Sequence, residues 1–162
     1  MLKRKLIKLA ALSAVSMGLA VPTLPATAAD VTMNLGFGAP MQSIYGDLAT
    51  IFKAKVDDYT GGRVEVKIRC CNQISTEDEG FKAMQLGTVD AFIITANNIS
   101  PHWPLMDVTV LPYVFQNTAH LERVVDGPVG DLMKKKLQEA TSVHLLTFGP
   151  ALYRDFYNSK RA

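Results

Sequence analysis

The sequence contains few of the residues that usually perform metal, redox or nucleophilic chemistry. Its 162 residues include only two cysteines and three histidines. No Gly-x-Ser-x-Gly nucleophile elbow occurs. The histidines are far apart, and none has a metal-ligand partner at helical spacing; they are His102, His120 and His144. We therefore expect a protein without a metal, a cofactor or a catalytic residue.

Phosphate-binding motifs are missing as well. Gly36-Phe37-Gly38 resembles the start of a dinucleotide fingerprint, but the third glycine is absent and Pro40 occupies the loop. Gly61-Gly62 is followed by Arg63-Val64, where a Walker loop needs lysine and then serine or threonine. A nucleotide-binding protein is therefore not indicated.

Positive charge is scarce outside the first residues. The chain has 17 Lys and Arg against 15 Asp and Glu, a net charge of +2. Four of the cations lie between Lys3 and Lys8, so the rest holds 13 cations against all 15 acids, a net charge of about −2. A nucleic-acid groove needs clustered cations that release phosphate counterions. Nucleic acid is therefore excluded as an expected partner.

The N-terminal residues have the layout of a secretory signal peptide. A positive segment from Lys3 to Lys8 precedes an apolar stretch from Leu9 to Leu24, and the small residues Ala26-Thr27-Ala28-Ala29 follow. A membrane anchor is the alternative, but serine and proline interrupt a run already short for the ~20 residues that a span needs. We expect residues 1–29 to be removed after Ala28 or Ala29, leaving about 133 residues in the periplasm.

The hydrophobic pattern that follows alternates between strand and helix periods. Val31 to Phe37 alternates with period two and predicts a strand, and Val64 to Arg69 predicts a second. Between them, apolar residues at three- and four-residue steps predict a helix that Gly61-Gly62 ends; its core face is Tyr45, Leu48, Ala49, Phe52, Val56 and Tyr59.

A second helix and a third strand come next. Thr76 and Glu79 form a possible capping box for a helix that buries Phe81 and Met84 and closes at Gly87. The continuous apolar run from Val89 to Ile94 favours a strand buried on both faces.

The remaining segments are predicted with the same rules. Asn97 to Pro104 is expected to be a loop, and Pro112 limits regular pairing over Val108 to Phe115. Further elements are expected as two helices, Thr118 to Val125 and Val129 to Ala140, and two strands, Val143 to Phe148 and Leu152 to Asn158.

Strands that alternate with helices predict an α/β fold with a mainly parallel sheet flanked by helices. Ligands of such sheets bind at the carboxyl ends of the strands. The expected site therefore comprises Phe37 to Met41, Arg69 to Ser75, Thr95 to Trp103 and Gly149 to Arg154.

Cys70 and Cys71 are adjacent, so a disulfide between them would close a strained small ring. Three interpretations remain open. The pair forms two free thiols without a role, which we favour, or a strained disulfide between neighbours, or a redox or soft-metal site.

The order and spacing of several motifs resemble one family, the solute-binding proteins of tripartite ATP-independent periplasmic (TRAP) transporters. No single motif is specific, but together they cover the mature region. The matching segments are Phe52 to Val56, Thr60 to Val66, Gln73-Ile74, Gly87 to Asp90, Val110 to Phe115 and Gly149 to Arg161.

The resemblance implies a non-enzymatic receptor with two α/β lobes of the periplasmic-binding-protein type II class. Such receptors close over a small organic acid and deliver it to membrane permease subunits. The family is about twice as long as the mature region, and its principal carboxylate-binding arginine lies beyond Ala162. We therefore expect residues 30–162 to be a truncated N-terminal lobe with the second lobe largely missing.

Arg154 matches an arginine that contacts the ligand in the family. A guanidinium can grip a carboxylate in two places, and such charged hydrogen bonds contribute roughly 1.5 to 3 kcal/mol. The alternative is a surface ion pair with a neighbour such as Asp155.

The other expected ligand-binding residues follow from their places at the strand ends. Thr95 and Asn97 come directly after the third strand, although Asn97 also suits a plain turn. The remaining candidates are Phe37 and Gly38 after the first strand, Gln73 in a family loop position, and Trp103 and Tyr153 as aromatic walls, with core packing as the alternative for Phe37 and Trp103.

Two other functions stay open at this point. An exported thiol-dependent redox or metal-binding protein would use Cys70 and Cys71, which stand where the family more often has proline and a small polar residue. The other possibility is a truncated product without function, since half a cleft does not enclose a ligand.

Overall fold

The computed structural model describes residues 29–149 and 159–160. Three parallel strands form its sheet in the order β2-β1-β3; they are β1 (Val31–Gly36), β2 (Val64–Arg69) and β3 (Ala91–Phe92). β1 pairs with β2 from Val31↔Val64 to Gly36↔Arg69, and with β3 at Leu35↔Ala91. The α/β class and the parallel sheet are confirmed.

Helices connect the strands and continue beyond them. They are α1 (Ile44–Thr60), α2 (Glu77–Gln85), α3 (Ala96–Ile99), a 3₁₀ helix (Pro104–Thr109), α4 (Thr118–Val125) and α5 (Pro128–Thr141). The helices expected over these last two ranges are therefore confirmed. Within the described residues, no helix is long and apolar enough to cross a membrane.

The ends of α1 and α2 follow from their capping residues. Gly61 closes α1 with a left-handed φ of 59°, and its backbone N–H donates to the Asp57 carbonyl. Thr76 opens α2: its hydroxyl accepts from the Glu79 backbone N–H at 3.4 Å and donates to the Glu79 carboxylate at 3.2 Å. Both sequence signals are confirmed.

Two apolar clusters lie on opposite sides of the sheet's third strand. The first is formed by β1, β2 and α1, and the second by α2, α3, the 3₁₀ helix and α5. Their buried members are Leu35, Phe37, Ala49 and Val66 in the first, and Phe81, Ile99, Trp103, Met106, Met133 and Leu137 in the second.

These clusters explain the apolar run after α2. Ile93 packs against the first cluster and Ile94 against the second. The run is continuous because successive side chains point to opposite sides, each into a different core. The strand itself, however, is only Ala91–Phe92, and both residues are half-buried, so the predicted strand from Val89 to Ile94 was too long.

The ring of Phe92 packs against two glycines, Gly36 and Gly80. Atoms of its ring lie 2.6 Å from where a Cβ on Gly36 would stand, and 2.9 Å from the same position on Gly80. A side chain at either glycine would overlap the ring, so the missing Cβ atoms allow β1 and α2 to pack closely against β3.

Three predictions were wrong in local structure. Tyr59, which was expected on the core face of α1, is 83% exposed in the last turn of that helix. Asn97 to Pro104 contains α3 and the start of the 3₁₀ helix, where a loop was expected. Val143 to Phe148 forms no strand in the described range, although Val143 and Leu145 pack against the second cluster. The strand expected over 152–158 lies outside the described residues.

Candidate functional site

The carboxyl ends of the three parallel strands meet at one edge of the sheet. The Phe37 N–H donates to the Arg69 carbonyl at 3.2 Å, and the Ile93 N–H donates to the Gly36 carbonyl at 2.9 Å. The first bond continues the pairing of β1 with β2 past the last residue of β1, and the second continues the pairing of β1 with β3 past the last residue of β3. The loops after the strands therefore start side by side, as expected for a ligand site in a parallel sheet.

Glu77 connects three elements at this edge through hydrogen bonds of its carboxylate. One carboxylate oxygen, Oε2, accepts three hydrogen bonds: from the Thr95 backbone N–H at 3.1 Å, the Thr95 hydroxyl at 3.0 Å and the Asn98 side-chain amide at 2.9 Å. Glu77 is half-buried in the first turn of α2, where the helix dipole favours a negative charge. The carboxylate thus links α2 to the end of β3 and to α3.

Gly38 leaves room for two polar side chains at the same edge. A Cβ on Gly38 would stand 2.9 Å from Asn72 Oδ1 and 3.3 Å from Glu77 Oε1. The second oxygen of Glu77 therefore faces the loop after β1. Together, Gly38, Asn72 and Glu77 place an amide and a carboxylate beside bare backbone, an arrangement able to bind hydroxyl and carboxylate groups.

The loop after β2 is fastened to the loop after β1. Cys71 N–H donates to the Ala39 carbonyl at 3.2 Å, and Asn72 N–H donates to the Phe37 carbonyl at 3.4 Å. Cys71 and Asn72 both have a φ of 59°, a left-handed conformation that asparagine tolerates well and cysteine less well. This tight turn brings Asn72 against Gly38.

The two cysteines of this turn are free thiols whose Sγ atoms lie 2.7 Å apart. Cys70 is half-buried and Cys71 is exposed. The hydrogen bond with Cys71, followed by burial, raises the pKa of the Cys70 thiol above its ordinary value. Among the described residues, no group of three or more His, Cys, Asp and Glu is arranged to hold a metal ion.

Six of the eight predicted site residues fall into three groups. Thr95 and Gly38 lie at the strand-end edge, both beside Glu77. Gln73 and Asn97 are exposed in adjoining segments, the turn after β2 and α3 respectively. Arg154 and Tyr153 lie outside the described residues.

The two aromatic candidates inside the described range are core residues. Phe37 is 0% exposed and stacks with Tyr45 in the first cluster. Trp103 is 6% exposed in the second cluster. In this structure both residues pack in a core, which was the alternative to a ligand-binding role. Their contact with a ligand stays a prediction.

Glu77 lies outside the segments expected to form the site, whereas Asn72 and Asn98 lie within two of them, Arg69 to Ser75 and Thr95 to Trp103, without being named as ligand contacts. Asn72 had a usable signal, since asparagine is common in left-handed turns. The pairing of Glu77 with Thr95 spans 18 residues of sequence and has no local signature.

Comparison with known proteins identifies a single family. The family model described as bacterial extracellular solute-binding protein, family 7 (DctP), matches residues 36–162. A solute-binding protein of Roseobacter denitrificans is 28% identical over 141 residues, 87% of this chain and 43% of the relative. The C4-dicarboxylate-binding periplasmic protein DctP of Rhodobacter capsulatus is 29% identical over 153 residues, 91% of this chain and 44% of the relative.

Solved structures agree with these relatives. A TRAP periplasmic solute-binding protein of Roseobacter denitrificans with bound L-galactonate superposes with a TM-score of 0.68 at 25% identity, covering 73% of this chain and 39% of that one. One from Sulfurospirillum deleyianum with bound succinate gives a TM-score of 0.61 at 28% identity, covering 68% and 36%. The chain thus spans less than half the length of these relatives. Because the family model matches most of its residues, the chain belongs to the bacterial extracellular solute-binding proteins of family 7.

Proposed function

We propose that this chain is the ligand-facing lobe of an extracytoplasmic receptor that captures a small carboxylate. The main observation is the polar edge at the strand ends, where Glu77, Thr95 and Asn98 form one hydrogen-bonded group beside Gly38. Solved structures that resemble this chain include proteins with bound succinate and L-galactonate. The edge offers backbone amides and side-chain amides as donors to a carboxylate.

Glu77 makes hydroxylated acids the better candidates. A carboxylate side chain repels a ligand carboxylate but accepts hydrogen bonds from hydroxyl groups. Its Oε1 atom faces Gly38, whereas its Oε2 atom already holds Thr95 and Asn98. A sugar acid places hydroxyl groups a few bonds from its carboxylate, so it suits this edge better than an unsubstituted dicarboxylate does.

Arg154 is proposed as the positive partner of the ligand carboxylate. Its position follows from the family resemblance of residues 149–161, which lie mostly outside the described range. A guanidinium there would balance the charge of Glu77 and grip the carboxylate at two points. The remaining predicted ligand contacts rest on less specific signals than Arg154 does; they are Gln73, Asn97, Tyr153, Phe37 and Trp103.

Export and delivery complete the proposal. Residues 1–29 are proposed as a cleaved signal peptide and residues 30–162 as a lobe that works in the periplasm without catalysing a reaction. The bound acid would pass to TRAP-type membrane permease subunits. The named relatives and solved structures are solute-binding proteins, and three of them are described as periplasmic; this does not favour the thiol-enzyme alternative.

Nuclear magnetic resonance tests the binding proposal on the isotope-labelled chain. Because the chain matches less than half of each relative, weak binding is expected, and chemical shifts detect it. Titration with D-erythronate or L-galactonate should move the amide signals of Gly38, Asn72, Thr95 and Asn98, and succinate should move them less. If none of these acids moves those signals, or if shifts cluster elsewhere, the proposed site is wrong.

A further inference from the structure

Cys70 and Cys71 form a thiol pair that neither the family nor the proposed ligand site explains. Their Sγ atoms are 2.7 Å apart in the turn that follows β2. The separation is set by the turn, which two backbone hydrogen bonds hold against the loop after β1, from Cys71 to Ala39 and from Asn72 to Phe37. The folded chain thus brings the sulfurs close before any bond forms between them.

We propose that Cys70 and Cys71 form a redox modification site, where exchange with a small-molecule or protein disulfide joins the two thiols in a disulfide between adjacent residues. The two cysteines differ in exposure, and this difference assigns each of them one step of the reaction. Cys71 is exposed and can reach the incoming disulfide, while Cys70 is half-buried directly beside it.

The exchange proceeds in two balanced steps. The Cys71 thiolate attacks one sulfur of the incoming disulfide, forming a mixed disulfide and releasing one thiolate, which takes up a proton. The Cys70 thiolate then attacks Cys71 Sγ, closing the ring and releasing the second thiol. The two protein thiols lose two electrons and two protons, and the incoming disulfide gains them.

Ring strain makes this site reversible. A disulfide between adjacent residues closes a small ring, and strained disulfides are easier to reduce than structural ones. The turn is already strained, since Cys71 has a φ of 59°. Closure would restrain the turn that carries Asn72 beside Gly38, and any effect on ligand binding rests on the function proposed above.

The test measures thiol content in mixtures of oxidised and reduced glutathione. The 162-residue chain is equilibrated at several ratios, quenched with acid, alkylated in denaturant and weighed by mass spectrometry. We expect a species that has lost both alkylation sites without gaining glutathione, and full recovery of both sites after dithiothreitol. The same series in urea measures the unfolded chain.

Folding should favour closure by at least about tenfold in the equilibrium constant, equivalent to about 30 mV. Cys70→Ser and Cys71→Ser are the matched controls; each should end with one glutathione and never lose its site without an adduct. Cys70→Ser should react faster, since it keeps the exposed thiol.

Three outcomes would overturn the proposal. In the first, both thiols are alkylated at every glutathione ratio. In the second, the chain gains two independent glutathione adducts or forms intermolecular dimers, and no closed ring appears. In the third, the equilibrium constant for closure is the same in buffer and in urea. The readout is the number of free thiols and does not depend on a ligand in the strand-end site, so its failure leaves the ligand proposal untouched, and the reverse also holds.

Discussion

Glu77 and Thr95 are joined by two hydrogen bonds to a single carboxylate oxygen, from the Thr95 N–H at 3.1 Å and its hydroxyl at 3.0 Å. Thr95 is the residue that precedes α3, and Glu77 is the first residue of α2. The pair therefore fixes the starts of two helices against the end of β3. Asn98 adds a third bond to the same oxygen.

Replacing Glu77 by glutamine should weaken this junction. The Glu77→Gln change keeps the shape but removes the charge that strengthens three hydrogen bonds, so we expect a loss of about 1–3 kcal/mol in the free energy of unfolding. Asp78→Asn is the matched control, because Asp78 is an exposed acid in the same helical turn. Urea denaturation measures both, and equal losses would show that only the helix dipole is involved.

The close approach of Gly80 to Phe92 predicts that Gly80→Ala lowers the free energy of unfolding, although such a change within a helix usually raises it. Alanine in place of helical glycine normally gains about 1 kcal/mol, but here its Cβ would lie 2.9 Å from the Phe92 ring. The same ring atoms, Cδ2 and Cε2, would stand 2.6 Å from a Cβ on Gly36, so the ring lies close to both glycine backbones and has little room to move away. Overpacking costs typically 1–3 kcal/mol, so Gly80→Ala should destabilise the chain.

In a Phe92→Leu background the overlap is relieved, and the same Gly80→Ala change should become neutral or stabilising. Thermal or urea unfolding of the four proteins in this double-mutant cycle gives the coupling energy. Equal effects in both backgrounds would contradict the packing described for the ring.

The thiol of Cys70 should react slowly at neutral pH. Its pKa is raised mainly by the hydrogen bond with Cys71, so the reactive thiolate forms only at higher pH than for an ordinary cysteine. Replacing Cys71 by alanine removes this cause, and the pKa of Cys70 should fall towards its usual value. The rate of iodoacetamide labelling against pH reports both; an unchanged profile in Cys71→Ala would contradict the assignment.

Arg154→Ala should weaken binding of a carboxylate by at least about tenfold, the loss expected for one charged hydrogen-bonding partner. The measurement is the titration described for the strand-end amides. Arg123→Ala is the control, since it removes an exposed arginine on α4. If the two variants bind alike, Arg154 has a structural role.

Processing of the N-terminus tests the proposed export. Expressed in a Gram-negative host, the chain should be recovered from the periplasm starting at Ala29 or Asp30. N-terminal sequencing identifies that residue, and a variant without residues 2–29 should stay in the cytoplasm. An unprocessed N-terminus at Met1 in the intact chain would refute the cleavage prediction.

Elements with local signals were predicted well. The period of Val31 to Gly36, the glycine after α1 and the capping box of Thr76 and Glu79 lie within a few residues of the structures they specify. The length of β3 was overestimated, because a run of apolar residues occurs both in a paired strand and in an unpaired segment whose side chains pack into two cores. The helix α3 was missed because its four residues are too few for a periodic pattern.

The sequence by itself determined the α/β order and the likeness to solute-binding proteins, and it predicted the strand ends as the place of the site. Period, caps and turn residues act over a few positions, so they can be recognised without a fold. Only the tertiary structure decided that Glu77 bonds Thr95 and Asn98, that Asn72 lies beside Gly38, and that Phe37 and Trp103 lie in the cores. Those contacts join residues far apart along the chain, and they form only when parallel strands align their carboxyl ends at one edge.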